Sequence, residues 1–277
     1  MSRYISDLAV AEYDRDVKQA YAANANLRSV VKVKNGVTGS TCRFQKSAQG
    51  AATKKIMQAD VVPMNIDYSY VTAIMEDWNA PEYTDIFDAP KINFDEKTEL
   101  VSLSAKAVSR REDQIILDAF EKSTTLSVAH SDIGMTSAKF RAAKKDLDYY
   151  SVPGTDRHMV MSSESLYDLL GDDDADTFDK NTVKALVQGE INFWLGFTIH
   201  TVGYMAEGGL KKSTFYRENY AFHKSCLGYA IGLNMKSEVN YVPQKTSWLV
   251  NTMFSSGAII IDDYGIVTIS TKETDSV

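Results

Sequence analysis

Asp172, Asp174 and Asp176 stand at alternate positions in GDDDADTFDKN, the spacing with which a calcium loop begins. Such a loop also needs a glycine at its sharp turn and a bidentate glutamate at its end. Thr177 and Val183 hold those places, so the run reads as a solvated acidic loop. The four histidines, His130, His158, His200 and His223, are scattered, and none has another three or four residues away. The spacing therefore gives a zinc site no support. There is no GxSxG, GxxxxGK[ST] or GxGxxG, so no nucleophile elbow or phosphate cradle is nominated. Gly208 and Gly209 beside Lys211 and Lys212 have the composition of an anion cradle, but equally that of a flexible tip, which is the reading preferred. Cys42 and Cys226 are far apart and outside any CxxC, as expected of inert thiols in a reducing compartment. Neither a metal nor a cofactor is expected.

The most concentrated charge lies in SRREDQIILDAF, where Arg110, Arg111, Glu112 and Asp113 precede a block of Ile, Leu and Phe. Within a helix such a run is either a solvated face or an ion-paired face turned to a neighbouring chain. The element that must carry it is long. Asn93 and Glu96 have the spacing of a capping box, and apolar residues recur at Leu100, Val101, Ala105, Val108, Ile115, Ile116, Ala119 and Phe120. A helix from about 94 to 121 would run about 40 Å, the proportions of a beam.

Upstream, residues 1–38 are polar and weakly periodic, as in an arm that another surface must order. Stretches at Thr41–Gln45 and Ile66–Ile74 favour strands around a small, polar middle, which predicts a long hairpin with a flexible tip. A lone hairpin is marginal in water, so this one is expected to lean on something else. A turn cluster punctuated by Pro81 and Pro90 follows it. Downstream the pattern predicts a helix over Thr136–Leu147, a strand at His158–Met161 and a helix opened by Ser162 or Ser163. It then predicts a helix stopped by Gly189, strands broken by Gly196, and a closing strand pair turning at Asp262–Gly265. Helices and strands mix without a βαβ rhythm, which predicts an α+β fold.

The whole chain of 277 residues carries a net charge of -7, which argues against grip on a phosphate backbone. No apolar stretch approaches the roughly 20 residues that cross a bilayer, and no signal peptide is evident, so the chain is expected to stay where it is translated.

The order of parts resembles the major capsid protein of tailed double-stranded DNA phages, the Hong Kong 97 fold. YTDIFDAPKINFDEKTELVSLSAKAVSRREDQIILDAF is similar to the family's passage from extended loop into spine helix. VPGTDRHMVMSSESLYDLL with LVQGEINFWLGFTIHTV is similar to its central region, and GAIIIDDYGIVTIS to its closing strands. The resemblance implies an N-arm at 1–38, an extended β-hairpin E-loop at 39–92 and a peripheral domain with the spine helix at 93–154. An axial domain would span 155–240, and 241–277 would return to the peripheral domain. It makes Arg110, Arg111, Glu112, Asp113, Lys46, Lys54, Lys55, Tyr68, Tyr70 and Trp78 candidate intersubunit contacts.

The function so implied is not catalytic: hexamers and pentamers of the chain would tile an icosahedral shell around the genome. Partners would be further copies, a portal protein, a separate scaffolding protein, a possible decoration protein and packaged double-stranded DNA enclosed without sequence-specific binding; no membrane is involved. Assembly in the host bacterial cytoplasm and residence in the virion would follow. The Lys-to-Asn cross-link of one family branch has no matched partner Asn for Lys46, Lys54 or Lys55. Two other readings stay open at this point, an encapsulin-like compartment shell and a soluble α+β enzyme with a non-local active site.

Overall fold

The computed structural model describes residues 27–58, 60–87, 96–172, 193–204, 206–213 and 215–273. Asn93, most of the acidic loop and the helix expected before Gly189 lie outside the described residues. In chain order the first half holds β1 (Lys32–Asn35), β2 (Thr41–Ser47), β3 (Tyr68–Ile74), β4 (Glu76–Asp85), α1 (Glu96–Glu121), β5 (Ser127–Val128) and α2 (Ser137–Tyr149). The second half holds β6 (Arg157–Ser162), α3 (Ser163–Leu170), β7 (Phe193–Trp194), β8 (Phe197–Val202), β9 (Lys212–Ser213) and β10 (Tyr216–His223). It ends with β11 (Leu227–Val242), β12 (Ser247–Ile260) and β13 (Ile266–Lys272).

The described residues form three sheets, in the orders β1-β11-β12-β4, β5-β13-β10-β6-β8-β7 with β9 beside β10, and β2-β3. The mixture of helix and sheet is the expected α+β class. The second sheet is buried on both faces, because its strands alternate two apolar sets. Met159, Met161, Phe197, Ile199, Ala221, Val267 and Ile269 meet Phe140, Ala143 and Leu147 of α2 and Leu166 and Leu169 of α3. Val160, Tyr220, Phe222 and Ile266, on the other face, meet Val108, Ile116 and Phe120 of α1. Phe120 sits 4.5 Å from the Phe222 ring and 5.5 Å from Tyr220. The helix α1 also lies along the first sheet, where Ser104 bonds Thr252 at 2.8 Å. One 26-residue helix thus joins both sheets into one core.

Local chemistry sets the element ends. Thr136 accepts the Lys139 N–H at the start of α2, and Ser162 accepts the Ser165 N–H at the start of α3. Leu195 and Gly196 both have positive φ, the geometry of a two-residue hairpin turn between β7 and β8.

Four expectations need correction. The Pro81 part of the supposed turn cluster lies in the strand β4, ten residues long, and Pro90 lies outside the described residues. Pro81 is tolerated there because β4 is an edge, where a missing N–H leaves no inner ladder bond unmade. The supposed arm joins the body from Leu27, since Leu27, Val30 and Val31 are buried and β1 pairs in parallel with β11. The closing strands are not partners: β12 pairs with β11 and β4, whereas β13 pairs with β10 and β5. The Cys226 carbonyl accepts both the Ile261 N–H at 2.7 Å and the Asp262 N–H at 3.1 Å, and this pins the crossing between sheets. The Gly208 tip is docked rather than free. Its N–H donates to Gln114 Oε1 at 2.9 Å, and Lys211 pairs with Glu121.

Candidate intersubunit surfaces

The charges of the α1 run have separate tasks within the chain. Asp113 is buried, and its Oδ1 accepts the Leu27 N–H at 3.1 Å, fixing where the chain enters the body. Glu112 accepts from the Tyr229 hydroxyl at 3.0 Å and lies 3.5 Å from the Arg28 guanidinium. Burial, with the Glu112 charge behind it, pushes the Tyr229 phenol far above its ordinary range. Arg111 lays its guanidinium 3.7 Å from the Trp78 ring centroid and reaches Glu207 at 3.9 Å. Arg110 is half-buried beneath Gly208. The run and Trp78 therefore act first as an internal brace between α1, β4 and the entry of β1.

The hairpin β2–β3 presents the remaining candidates. Its root rests on the first sheet at two glycines. A side-chain carbon on Gly228 would come within 2.8 Å of the Phe44 ring, and one on Gly257 within 2.0 Å of the Ile74 carbonyl oxygen. Cys42, Phe44 and Ala73 are buried there against Ala230 and Ile261, and Lys46 bonds Asp262 at 2.8 Å. Beyond the root nothing among the described residues covers the hairpin. Tyr68 is 79% exposed and Tyr70 58%, the latter under the Arg43 guanidinium at 4.6 Å. Lys54 and Lys55 are exposed on the loop. Past them Ile56, Met57, Val61, Val62 and Met64 are all exposed, Met57 at 91%. These five escaped the reading of the loop as small and polar. The signal was present in the paired apolar residues at 56–57 and 61–62.

Structural chemistry elsewhere is self-contained. His158 and His200, distant in sequence, meet at 3.2 Å on neighbouring parallel strands. Burial first, and then the His200 charge, lower the His158 pKa to about 4. The Lys139 ammonium donates to three backbone carbonyls, at His130, Ile133 and Ser270. Both cysteines are buried, and burial pushes the Cys226 thiol far up, which leaves it unreactive. Among the described residues no three His, Cys, Asp or Glu converge as metal ligands, and no helix is long and apolar enough to cross a membrane.

A family model for phage capsid protein matches residues 5–273. The chain belongs to the phage capsid protein family. Solved structures agree in fold. The acidic stable capsid structure of Helicobacter pylori bacteriophage KHP30 matches at TM-score 0.79 and 11% identity, covering 98% of this chain and 98% of that one. One from Mycobacterium phage Che8 matches at TM-score 0.73 and 17% identity, covering 93% and 95%. The capsid of Ralstonia phage GP4 matches at 0.75 and 11%, covering 96% of each. No curated protein sequence matches. The fold is the Hong Kong 97 type, and the protein is a capsid shell protein that self-associates and resides in the virion. The match favours this reading over the encapsulin-like compartment and the soluble enzyme.

Proposed function

We propose that this capsid protein tiles an icosahedral phage head as hexamers and pentamers, without catalytic activity, and encloses double-stranded DNA. One observation carries the proposal: among the described residues, a two-stranded hairpin is anchored only at its root and leaves five apolar side chains at its tip in water. A contiguous exposed apolar patch on a soluble protein marks a surface made to be covered. A second copy supplies that cover if the hairpin straps one subunit to the next. In this scheme α1 is the spine, and the first sheet with α1 forms the peripheral domain. The second sheet with α2 and α3 forms the axial domain gathered at the fivefold and sixfold axes, which shifts α2 and β13 out of the peripheral spans expected at 93–154 and 241–277 and β11 out of the axial span expected at 155–240. The same reading includes a separate scaffolding protein, a portal protein, a possible decoration protein and assembly in the host cytoplasm.

Negative-stain electron microscopy with size-exclusion chromatography tests it, on the chain expressed with and without a candidate scaffold gene. Closed shells, or rings of five and six that close correctly only with the scaffold, are the expected result. A uniform monomer or dimer under every condition would overturn the proposal.

A further inference from the structure

Charge along the first third of the chain is segregated in a way that the fold alone does not require. Residues 27–59 carry seven Lys and Arg and no Asp or Glu, whereas residues 60–87 carry six Asp and Glu and no Lys or Arg. Folding places β1 of the first block and β4 of the second at opposite edges of the first sheet, while β2 and β3 pair with each other. At one edge, Lys32 and Lys34 of β1 and Arg43 of β2 line an open cleft of about 610 Å³ with Val33, Phe44 and Gln45, and the Lys34 ammonium donates to the Arg43 carbonyl at 3.4 Å. At the other edge, β4 exposes Glu76, Asp77 and Glu82. None of these six joins an ion pair with another described residue.

A two-fold contact would bring like edges together, whereas a head-to-tail contact brings unlike ones together and repeats from copy to copy. Pro81 in the middle of β4 and the lysines on β1 discourage one sheet from extending the other, so charge rather than strand pairing must join them. We propose that the basic β1–β2 cleft of one copy receives the acidic β4 edge of a second copy. The inference rests on the shell reading and specifies which faces of the subunit meet. Exposed pairs contribute little singly and are screened beyond roughly 8 Å at physiological salt. The contact therefore sets the orientation and rate of association, and high salt weakens it.

The test compares three full-length chains with wild type: Lys32→Glu/Lys34→Glu/Arg43→Glu, Glu76→Lys/Asp77→Lys/Glu82→Lys, and the two sets combined. Thermal melting first confirms that each subunit folds. Gln substitutions at the same positions provide milder variants should a reversal fail to fold. Sedimentation and electron microscopy at low and high salt then follow assembly. The expected result is a loss of about tenfold or more in assembly rate for either reversed set at low salt. Recovery in the combined chain and smaller losses in the Gln chains complete the expectation. Wild-type assembly by either reversed set, or a combined chain no better than its parents, overturns the edge contact and leaves the shell reading standing. A wild-type chain that stays monomeric at every salt overturns the shell reading, and the contact with it.

Discussion

Glu273 and Arg217 form an ion pair that water scarcely reaches, with side chains 1% and 5% exposed. Ser162 and Ser165 donate to the carboxylate, Arg217 also donates to the Leu210 carbonyl, and Asn219 links Ser165, Thr271 and the Ser162 N–H. The network ties α3, β10 and the end of β13 together. Removing one partner strands a buried charge, so Glu273→Ala should cost about 3–5 kcal/mol in chemical denaturation of the unassembled subunit. Replacing both charges with Met should return most of that loss. A single variant as stable as wild type would show the pair to be hydrated in solution. The histidines give a pH dependence of fixed sign. Burial lowers the pKa of His158, His200 and His223, and that of His158 falls to about 4 against an ordinary 6.5. Between those two values the unfolded chain binds a proton that the native state refuses, so stability is full above about pH 6.5 and falls as the pH drops toward 4. For His158, half-exposed and screened, the loss is about 1 kcal/mol. His158→Asn should flatten the decline in melting temperature between pH 7 and 5. An unchanged slope would assign the decline to other groups.

Among the elements, α1, β6 and the hairpin were legible in sequence because one periodicity dominates each. The apolar positions from Leu100 to Phe120 fall on a single helical stripe, and the capping serine of α3 closes the strand before it. Long-range pairing was not legible. β4 was hidden behind Pro81, whose meaning depends on whether its strand is central or an edge, and that is decided by β12 some 170 residues later. The same limit put β12 and β13 together as a hairpin, since their short connection carries no trace of the Cys226 carbonyl that diverts it. Of the ten candidate contacts, the sequence identified the charged run but not its partners, because Leu27, Arg28 and Tyr229 lie far away in the chain. The glycines under the hairpin gain meaning only from the neighbours they admit. Gly257→Val must displace the Ile74 carbonyl, which would otherwise lie 2.0 Å from the added carbon. The expected outcome is a folded subunit whose hairpin is cut faster by limited proteolysis and which assembles poorly. Cleavage at the wild-type rate would mean that the root is not held by this close approach.

For the molecule as a whole, stability is uneven by construction. The two large sheets share α1, and the faces of the second sheet are sealed by α1 on one side and by α2 and α3 on the other. Such a core opens only in a global unfolding event, whereas the hairpin beyond its root exchanges few buried contacts for solvent when it opens. Hydrogen exchange of the unassembled subunit should therefore show two regimes. β6, β10, β13 and the second half of α1 should exchange at the global rate, and residues 47–68 far faster. In the proposed shell, assembly should leave the core regime unchanged and slow the hairpin amides selectively, because a second copy would cover Ile56, Met57, Val61, Val62 and Met64, which the subunit alone exposes. Replacing Ile56, Met57 and Val62 with Ser provides the control. These side chains are exposed, so the subunit's melting temperature should hold. Closed shells should become scarce, since each lost contact is repeated at every copy. Hairpin amides that exchange equally fast in the assembled shell would remove the strap from the mechanism, and assembly would then have to rest on the sheet edges and the axial domain alone.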